Sequence, residues 1–169
     1  MPSTKLKAFL DINNIRYVVI THSRAFTADA VAALTHISGN EIAKTVMVKV
    51  DGKMTMAVVP ASRHVDLNAM RRITNAQTVV VVPEPQFADI FPDCEVGAMP
   101  PFGTLYGLPV YVDDRLARDF EISFNAGSHL ELIRMEFEDF KRLEHPVIAP
   151  IATRSAHERM EEERLASSA

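Results

Sequence analysis

The sequence has little of the material from which many functional sites are built. Cys94 is the one cysteine in 169 residues, which excludes an intramolecular disulfide and a cysteine-based zinc cluster. The six histidines lack zinc-type spacing, so we expect no metal or other cofactor. The sequence contains no Gly-x-Ser-x-Gly elbow and no Gly-rich phosphate loop of the usual kinds. These absences exclude the common hydrolase, nucleotide-binding and zinc signatures.

Long apolar runs are also missing. No stretch approaches the roughly 20 apolar residues that cross a bilayer, so we expect no membrane association. The first residues have no apolar h-region, and we expect no signal peptide. Together with the single cysteine, this pattern favours a cytoplasmic location.

The composition is that of an ordinary globular protein, with 47% hydrophobic and 24% charged residues. Charge is divided unevenly along the chain. Residues 1–82 hold ten basic and five acidic residues, a balance of +5, whereas residues 83–169 hold eight basic and seventeen acidic residues, a balance of −9. The basic half could attract a polyanion, or the charges could simply solvate two ordinary surfaces.

Local patterns predict an α/β protein. Asp51-Gly52 between two apolar runs predicts a hairpin, and strands alternate with helices elsewhere, so a mixed sheet is favoured over an all-parallel one. Predicted strands cover residues 17–21, 42–50, 53–60, 78–82 (as a buried strand), 108–113, 121–127 and 129–135. Predicted helices cover residues 3–14, 27–34, 65–73 (with Leu67, Met70 and Ile73 inward), 83–91 and 136–143.

The domain organisation follows from where these patterns stop. Residues 1–144 have the length and apolar content of one compact domain with its own core. Residues 145–169 combine an extended, proline-bounded stretch with a highly charged helical one. We therefore predict a charged C-terminal tail that lies outside the core.

Lys44 is the most specific candidate for a functional residue in the chain. It interrupts the apolar strand 42–50, and alternation places it on the same face as Val46, Val48 and Val50. A lysine on a buried face is costly unless it is paired or lines a cleft, where it could hold a phosphate or polarise a carbonyl. The alternative is a lysine near a strand end whose ammonium reaches water.

Residues 94–107 form a loop rich in glycine and proline between two regular elements. Glycine permits unusual backbone angles and proline rigidifies the chain, so the loop either shapes a ligand site or is an ordinary turn. Asn125, Ser128 and His129, beside Gly127, either line a pocket or make a turn. We expect Cys94 to be an idle thiol.

Several stretches, taken in order, resemble the YbaK/ProX family of aminoacyl-tRNA deacylases. Gly97 and Pro101 fall in the key places of the family's Gly-x-x-x-Pro loop. The resemblance covers roughly residues 15–143 and stops before the tail. It is carried by residues 42–46, 59–61, 65–67, 97–103, 110–113 and 124–127.

The resemblance implies a single compact domain with a curved, mixed and largely antiparallel sheet flanked by helices. It implies hydrolysis of the ester that joins a wrong amino acid to the 3′-terminal adenosine of tRNA. Lys44, Gly97 and Pro101 would be the catalytic positions, and an aminoacyl-tRNA synthetase is a possible partner. The residues expected to bind substrate are Phe26, Thr45, Met47, Met99, Pro100, Phe102, Gly103, Asn125, Gly127 and His129.

Two other readings stay open at this point. The chain could bind tRNA 3′ ends or adenine nucleotides without hydrolysis, or it could cleave small aminoacyl esters unrelated to tRNA. Pro100 departs from the small or hydroxyl residue that many relatives carry before the loop proline. The amino acid removed therefore does not follow from the resemblance.

Overall fold

The computed structural model describes residues 4–25, 28–154 and 156–168. Strands in these ranges form one sheet with helices on both faces, which confirms the predicted α/β class with a mixed sheet. The strands are β1 (Tyr17–Thr21), β2 (Ile42–Val50), β3 (Lys53–Pro60), β4 (Val79–Val81), β5 (Val110–Asp113), β6 (Glu121–Asn125), β7 (Glu131–Glu136) and β8 (Val147–Ala149). The α-helices are α1 (Thr4–Ile12), α2 (Ala28–Thr35), α3 (Leu67–Thr74), α4 (Glu84–Phe87), α5 (Phe137–Glu144) and α6 (Ala156–Ser167).

Local chemistry accounts for the boundaries of several elements. The predicted hairpin between β2 and β3 is confirmed, with Asp51 and Gly52 at φ 47° and 81°. Asp66 caps α3, since its side chain accepts a hydrogen bond from the backbone N–H of Ala69. Asn75 ends the same helix in the left-handed region at φ 56°.

The strand order is β1-β7-β6-β2-β3-β5-β8, and β4 pairs with β2 beside this path. One edge of β2 is occupied by β3. On the other edge, β6 pairs in parallel with Ile42 and Ala43, and β4 pairs antiparallel with residues 48–50. These two ladders leave residues 44–47 between them. Because the carbonyl of Met47 accepts a hydrogen bond from Val82, the gap narrows to residues 44–46, which we call the β2 interval. The sheet is therefore split at the middle of its central strand.

The core lies on both faces of the sheet. On one face, the main cluster joins α1 and α5 to the strands through residues such as Leu10, Phe124 and Phe140, all at most 1% exposed. On the other face, α3 packs over β2 and β3, while α2 packs over the start of β2 and over β7. The β2 interval lies between these last two clusters.

The prediction that the C-terminal tail lies outside the core is wrong for residues 147–152. Strand β8 extends the sheet by pairing in parallel with β5, and Ile151 is fully buried in the cluster under α3. Asp113, also fully buried, accepts hydrogen bonds from the backbone N–H groups of Ile151 and Ala152 at 3.0 and 2.9 Å. This carboxylate supplies the partners that hold the segment.

Two smaller expectations on burial are also wrong. Strand β4 is not buried, because Val80 and Val81 are each 52% exposed; it pairs with β2 at an open edge. In α3, Met70 is buried as predicted, but Ile73 is 37% exposed. None of the helices in the described ranges has the length and apolar character to span a membrane.

Candidate functional site at the split of the sheet

Lys44 stands in the β2 interval opposite Val59 of β3. Residues directly opposite in an antiparallel pair share a face, and Val59 is fully buried in the cluster under α3. Lys44 is itself partly buried. The strand alternation that placed Lys44 on a buried face is therefore confirmed, and its side chain lies between the clusters covered by α2 and α3.

Asn125 lies beside Lys44 where β2 and β6 separate. Ala43 pairs with Phe124 in the last step of their parallel ladder, and both belong to the main cluster. The following residues, Lys44 and Asn125, therefore face the opposite side together. Within the described residues, Oδ1 of Asn125 is buried without a hydrogen-bond partner. A buried amide oxygen in this state favours a ligand that donates a hydrogen bond.

The backbone of Thr45 faces the gap between β6 and β4, which we call the opening of the sheet. Peptide groups alternate between the two edges of a strand. The carbonyl of Met47 accepts a hydrogen bond from the N–H of Val82 at 2.9 Å on the β4 side. The peptide groups of Thr45, two residues earlier, point to the same edge and thus into the opening of the sheet.

The glycine-proline loop is clamped onto the turn that follows β6. The N–H of Glu95 donates to the carbonyl of Gly127 at 2.8 Å, and the N–H of Gly127 donates to the carbonyl of Ala98 at 2.9 Å. Gly97 sits between these anchors at φ 85°, in the left-handed region that suits glycine. Two backbone hydrogen bonds therefore hold the loop against the β6–β7 turn, which directly follows Asn125.

Glu95 and Arg24 are functional candidates that the sequence did not reveal. Oε2 of Glu95 accepts the N–H of His129 at 2.8 Å and lies 3.3 Å from Nη1 of Arg24. The hydrogen bond from His129, followed by Arg24, lowers the pKa of the Glu95 carboxyl. No pattern in a single sequence links an acid in a loop to an arginine 71 positions away.

His129 braces the same turn through its ring. Its Nε2 lies 2.8 Å from the carbonyl of Val96, so this nitrogen carries the proton and donates. A Cβ placed on Gly97 would lie 3.6 Å from Cε1 of His129, an ordinary contact distance. The structure thus brings His129, Gly97 and Gly127 together.

Several predicted substrate-binding residues, and the predicted catalytic residue Pro101, are held by the core. Met47, Met99 and Phe102 are 2%, 5% and 0% exposed within the main cluster, and Pro100 and Pro101 are buried as well. These side chains anchor the loop. Their contact with substrate stays a prediction.

Gly103 and Phe26 are two further positions that were predicted to bind substrate. A Cβ on Gly103 would lie 2.3 Å from the carbonyl oxygen of Leu108, so close backbone approach alone requires a glycine there. Phe26 lies outside the described residues, and its predicted role stays a prediction.

The thiol of Cys94 is half-buried next to the hydroxyl of Tyr106, at 3.4 Å. Burial is the main cause that raises the pKa of Cys94 to about 11, so the reactive thiolate is scarce near neutral pH. In the described ranges, no group of three His, Cys, Asp or Glu side chains is placed to hold a metal ion.

The fold and the site together define the class of protein, a small α/β domain with a mixed sheet. Two strands of that sheet separate beside a lysine, an asparagine and a glycine turn that is held by hydrogen bonds. The sequence profile of the aminoacyl-tRNA editing domain matches residues 22–143, and the chain belongs to that family. The family supports a role in tRNA editing. No curated protein matches the chain.

Solved structures show the same fold. A hypothetical protein superposes with a TM-score of 0.80 at 18% identity, over 88% of this chain and 99% of its own. A proposed trans-editing enzyme for prolyl tRNA synthetase superposes with a TM-score of 0.77 at 17% identity, over 90% of this chain and 98% of its own. At such identities the likeness concerns the fold.

Proposed function

We propose that the protein hydrolyses the ester bond of mischarged aminoacyl-tRNA as a stand-alone editing enzyme. The observation that carries the proposal is the placement of Lys44 and Asn125 on one face at the split of the sheet, beside the clamped Gly97 turn. Membership of the aminoacyl-tRNA editing family supports the assignment of tRNA as the substrate.

The proposed chemistry needs few protein groups. An aminoacyl ester is already activated, so catalysis requires a placed water and stabilisation of the oxyanion. The ammonium of Lys44 and exposed N–H groups around Gly97 supply that stabilisation, with Pro101 keeping the loop rigid. The free ribose hydroxyl of the terminal adenosine helps to orient the water.

The buried amide of Asn125 gives the substrate pocket a second polar contact. Its unpartnered Oδ1 would accept a hydrogen bond from the α-ammonium group that every aminoacyl ester carries. Selectivity among amino acids then rests on pocket size, where one methylene is worth only about 1–3 kcal/mol. Pro100 and Met99 stiffen the pocket wall and set that size.

The similar structure proposed to act with prolyl tRNA synthetase suggests where to look for the substrate. We propose that the proline tRNA carrying a wrong amino acid is the first substrate to test, and that the synthetase is a partner. A cytoplasmic location, where aminoacyl-tRNA is found, fits this proposal and stays a prediction.

The test is release of amino acid from a panel of mischarged tRNAs by wild type, Lys44→Ala and Lys49→Ala. We expect Lys44→Ala to lower the rate about 100-fold, the effect of removing one oxyanion-stabilising group. Lys49→Ala is the matched control, because Lys49 lies on the same strand but contacts Gln86. No cleavage of any tRNA would refute the proposal, and equal rates for the two variants would exclude Lys44 from the mechanism.

A binding function without turnover is the second candidate. Glu95, the carboxylate beside the Gly97 turn, holds two donors and has a lowered pKa, so it is poorly suited to accept a proton from water near neutral pH. Tight binding of a non-hydrolysable aminoacyl-adenosine, with no cleavage of the matching ester, would favour this candidate. Cleavage of small aminoacyl esters without the steep salt dependence of tRNA contacts would instead indicate a hydrolase unrelated to tRNA.

A further inference from the structure

A second, open cleft adjoins the candidate site. Three arginines line it, Arg63, Arg115 and Arg118, together with the end of β3 at Pro60 and the carboxylate of Glu158 from α6. Pro60 follows Val59, the residue opposite Lys44. Pro60 is thus about one strand residue, roughly 3.4 Å, along β3 from the level of Lys44, and its side chain points to the opposite face of the sheet.

Arg63 is built into this cleft. It is 8% exposed, and Nη1 and Nη2 donate to the two carboxylate oxygens of Glu158 at 2.6 and 2.5 Å. In the described part of the chain, its Nε is buried without a partner. A buried guanidinium with two parallel donors facing one anion is also the geometry that binds phosphate.

The other two arginines contact acids outside helix α6. Arg115 contacts Asp113 at 3.5 Å, and Arg118, 72% exposed, contacts Asp114 at 3.5 Å. The pair of Arg118 is exposed and contributes little, so its guanidinium group can turn toward a ligand. Arg115 instead stays beside the buried carboxylate of Asp113. Asp119 also lines the cleft. With the α6 carboxylate removed, the three guanidinium groups would face Asp119, with Asp113 and Asp114 beside two of them.

Helix α6 carries the carboxylate but has little apolar attachment to the domain. Met160 and Leu165 are 70% and 56% exposed. The chain just before the helix is firmly held, since Ile151 is fully buried. Helix α6 is thus a tethered element that presents Glu158 to Arg63.

We propose that this cleft is a phosphate subsite for the acceptor end of the RNA, and that Glu158 occupies it when no RNA is bound. The RNA as ligand rests on the proposed function. Binding exchanges the carboxylate on Arg63 for a phosphodiester, and α6 leaves the cleft. Because Glu158 is attached to the same chain, its effective concentration at Arg63 is high. The protein therefore binds RNA more weakly than it would if Glu158 did not occupy the cleft.

The test measures fluorescence anisotropy of a labelled, uncharged single-stranded RNA that ends in CCA, with the full chain. Glu158→Gln should bind about fivefold tighter, which corresponds to about 1 kcal/mol of released competition. Glu162→Gln makes the same charge change on the same helix, where Glu162 pairs with Arg154, and should leave the affinity nearly unchanged. Arg118→Gln should weaken binding and reduce the slope of log K against log salt by about 0.7.

Equal effects of the two glutamate variants, or an unchanged salt slope in Arg118→Gln, would overturn the proposal. Inorganic phosphate tests whether the cleft binds free phosphate instead of an RNA phosphodiester. If phosphate stabilises wild type but not Arg118→Gln, and RNA does not bind, the assignment to RNA is overturned.

Measurements of RNA binding and of ester hydrolysis distinguish the phosphate subsite from the proposed function. Glu158-dependent RNA binding without cleavage of any mischarged tRNA would refute the proposed function alone. Cleavage with equal RNA affinity in the two glutamate variants would refute the phosphate subsite alone.

Discussion

Glu144, the last residue of α5, is buried where a carboxylate has few partners. It is 6% exposed; Oε2 accepts one hydrogen bond, from the N–H of Thr104 at 3.3 Å. In the described structure, Oε1 is buried without any. Burial raises the pKa of Glu144 from its ordinary 4.5 to about 7, and the contact with Thr104 offsets only part of that effect. Replacing it by glutamine keeps the size and removes the titration.

The direction of the effect follows from proton binding. Because the pKa of Glu144 is higher in the folded state, the folded protein binds more protons than the unfolded chain between pH 4.5 and about 7. Its stability therefore falls as the pH rises through that range. The difference between the two pKa values corresponds to about 3 kcal/mol. Glu144→Gln removes this loss, so the variant should be the more stable protein above about pH 7.

Urea denaturation from about pH 4 to about pH 8 measures this difference. The stability of Glu144→Gln minus that of wild type should grow by about 3 kcal/mol across the range. Glu138→Gln, on the exposed side of the same helix, controls for removal of one negative charge. A difference that stays constant with pH, or a wild type that is the more stable protein at pH 8, would refute the reasoning.

Four further substitutions test the fold and the loop. Asp113→Ala leaves two buried N–H groups of the C-terminal segment without their acceptor, so denaturation should show a loss of about 3 kcal/mol; unchanged stability would contradict the anchoring of that segment. Gly103→Ala forces the backbone away from Leu108 and should cost about 2 kcal/mol in the same assay, whereas a neutral effect would contradict the close approach. Gly97→Ala and Gly52→Ala strain backbones at φ 85° and 81°, each by about 1–2 kcal/mol, but only Gly97→Ala should lower deacylation. Equal deacylation by these two variants would exclude the Gly97 turn from the mechanism.

Much of the fold is predictable because its signals are local. The β2–β3 hairpin follows from Asp51-Gly52 between two apolar runs, and both residues adopt positive φ as that turn demands. The partial burial of Lys44 follows from alternation along one strand. Helix α5 follows from Phe137 and Phe140, which share one face and are both buried.

The errors occur where a partner distant in sequence decides the structure. Strand β8 has only three residues, too few for a periodic pattern, and it is a strand because β5 offers it a free edge. Val80 and Val81 have the composition of a buried strand, but they lie at an edge. Composition alone does not distinguish these cases, since burial depends on what covers each face.

The candidate site shows the same division. Lys44 and the loop from Gly97 to Pro101 were predicted from residue type, spacing and resemblance. Arg24 and Glu95 were not, because their role consists of contacts made across 71 positions. The Arg63–Glu158 pair likewise joins residues 95 positions apart.

The sequence by itself determined the order of most helices and strands, the hairpin turn and the lysine on a buried face. These depend on backbone preferences and side-chain alternation within a few residues. Only the tertiary structure decided that β6 and β4 leave an opening beside Lys44. It also decided that Glu95 holds the loop rich in glycine and proline against the turn that follows β6. Those features arise from hydrogen bonds and packing between distant segments. The loop that could be either a turn or a ligand site is a turn held by Gly127 and His129, and its role in the proposed ester-hydrolysing site stays a prediction.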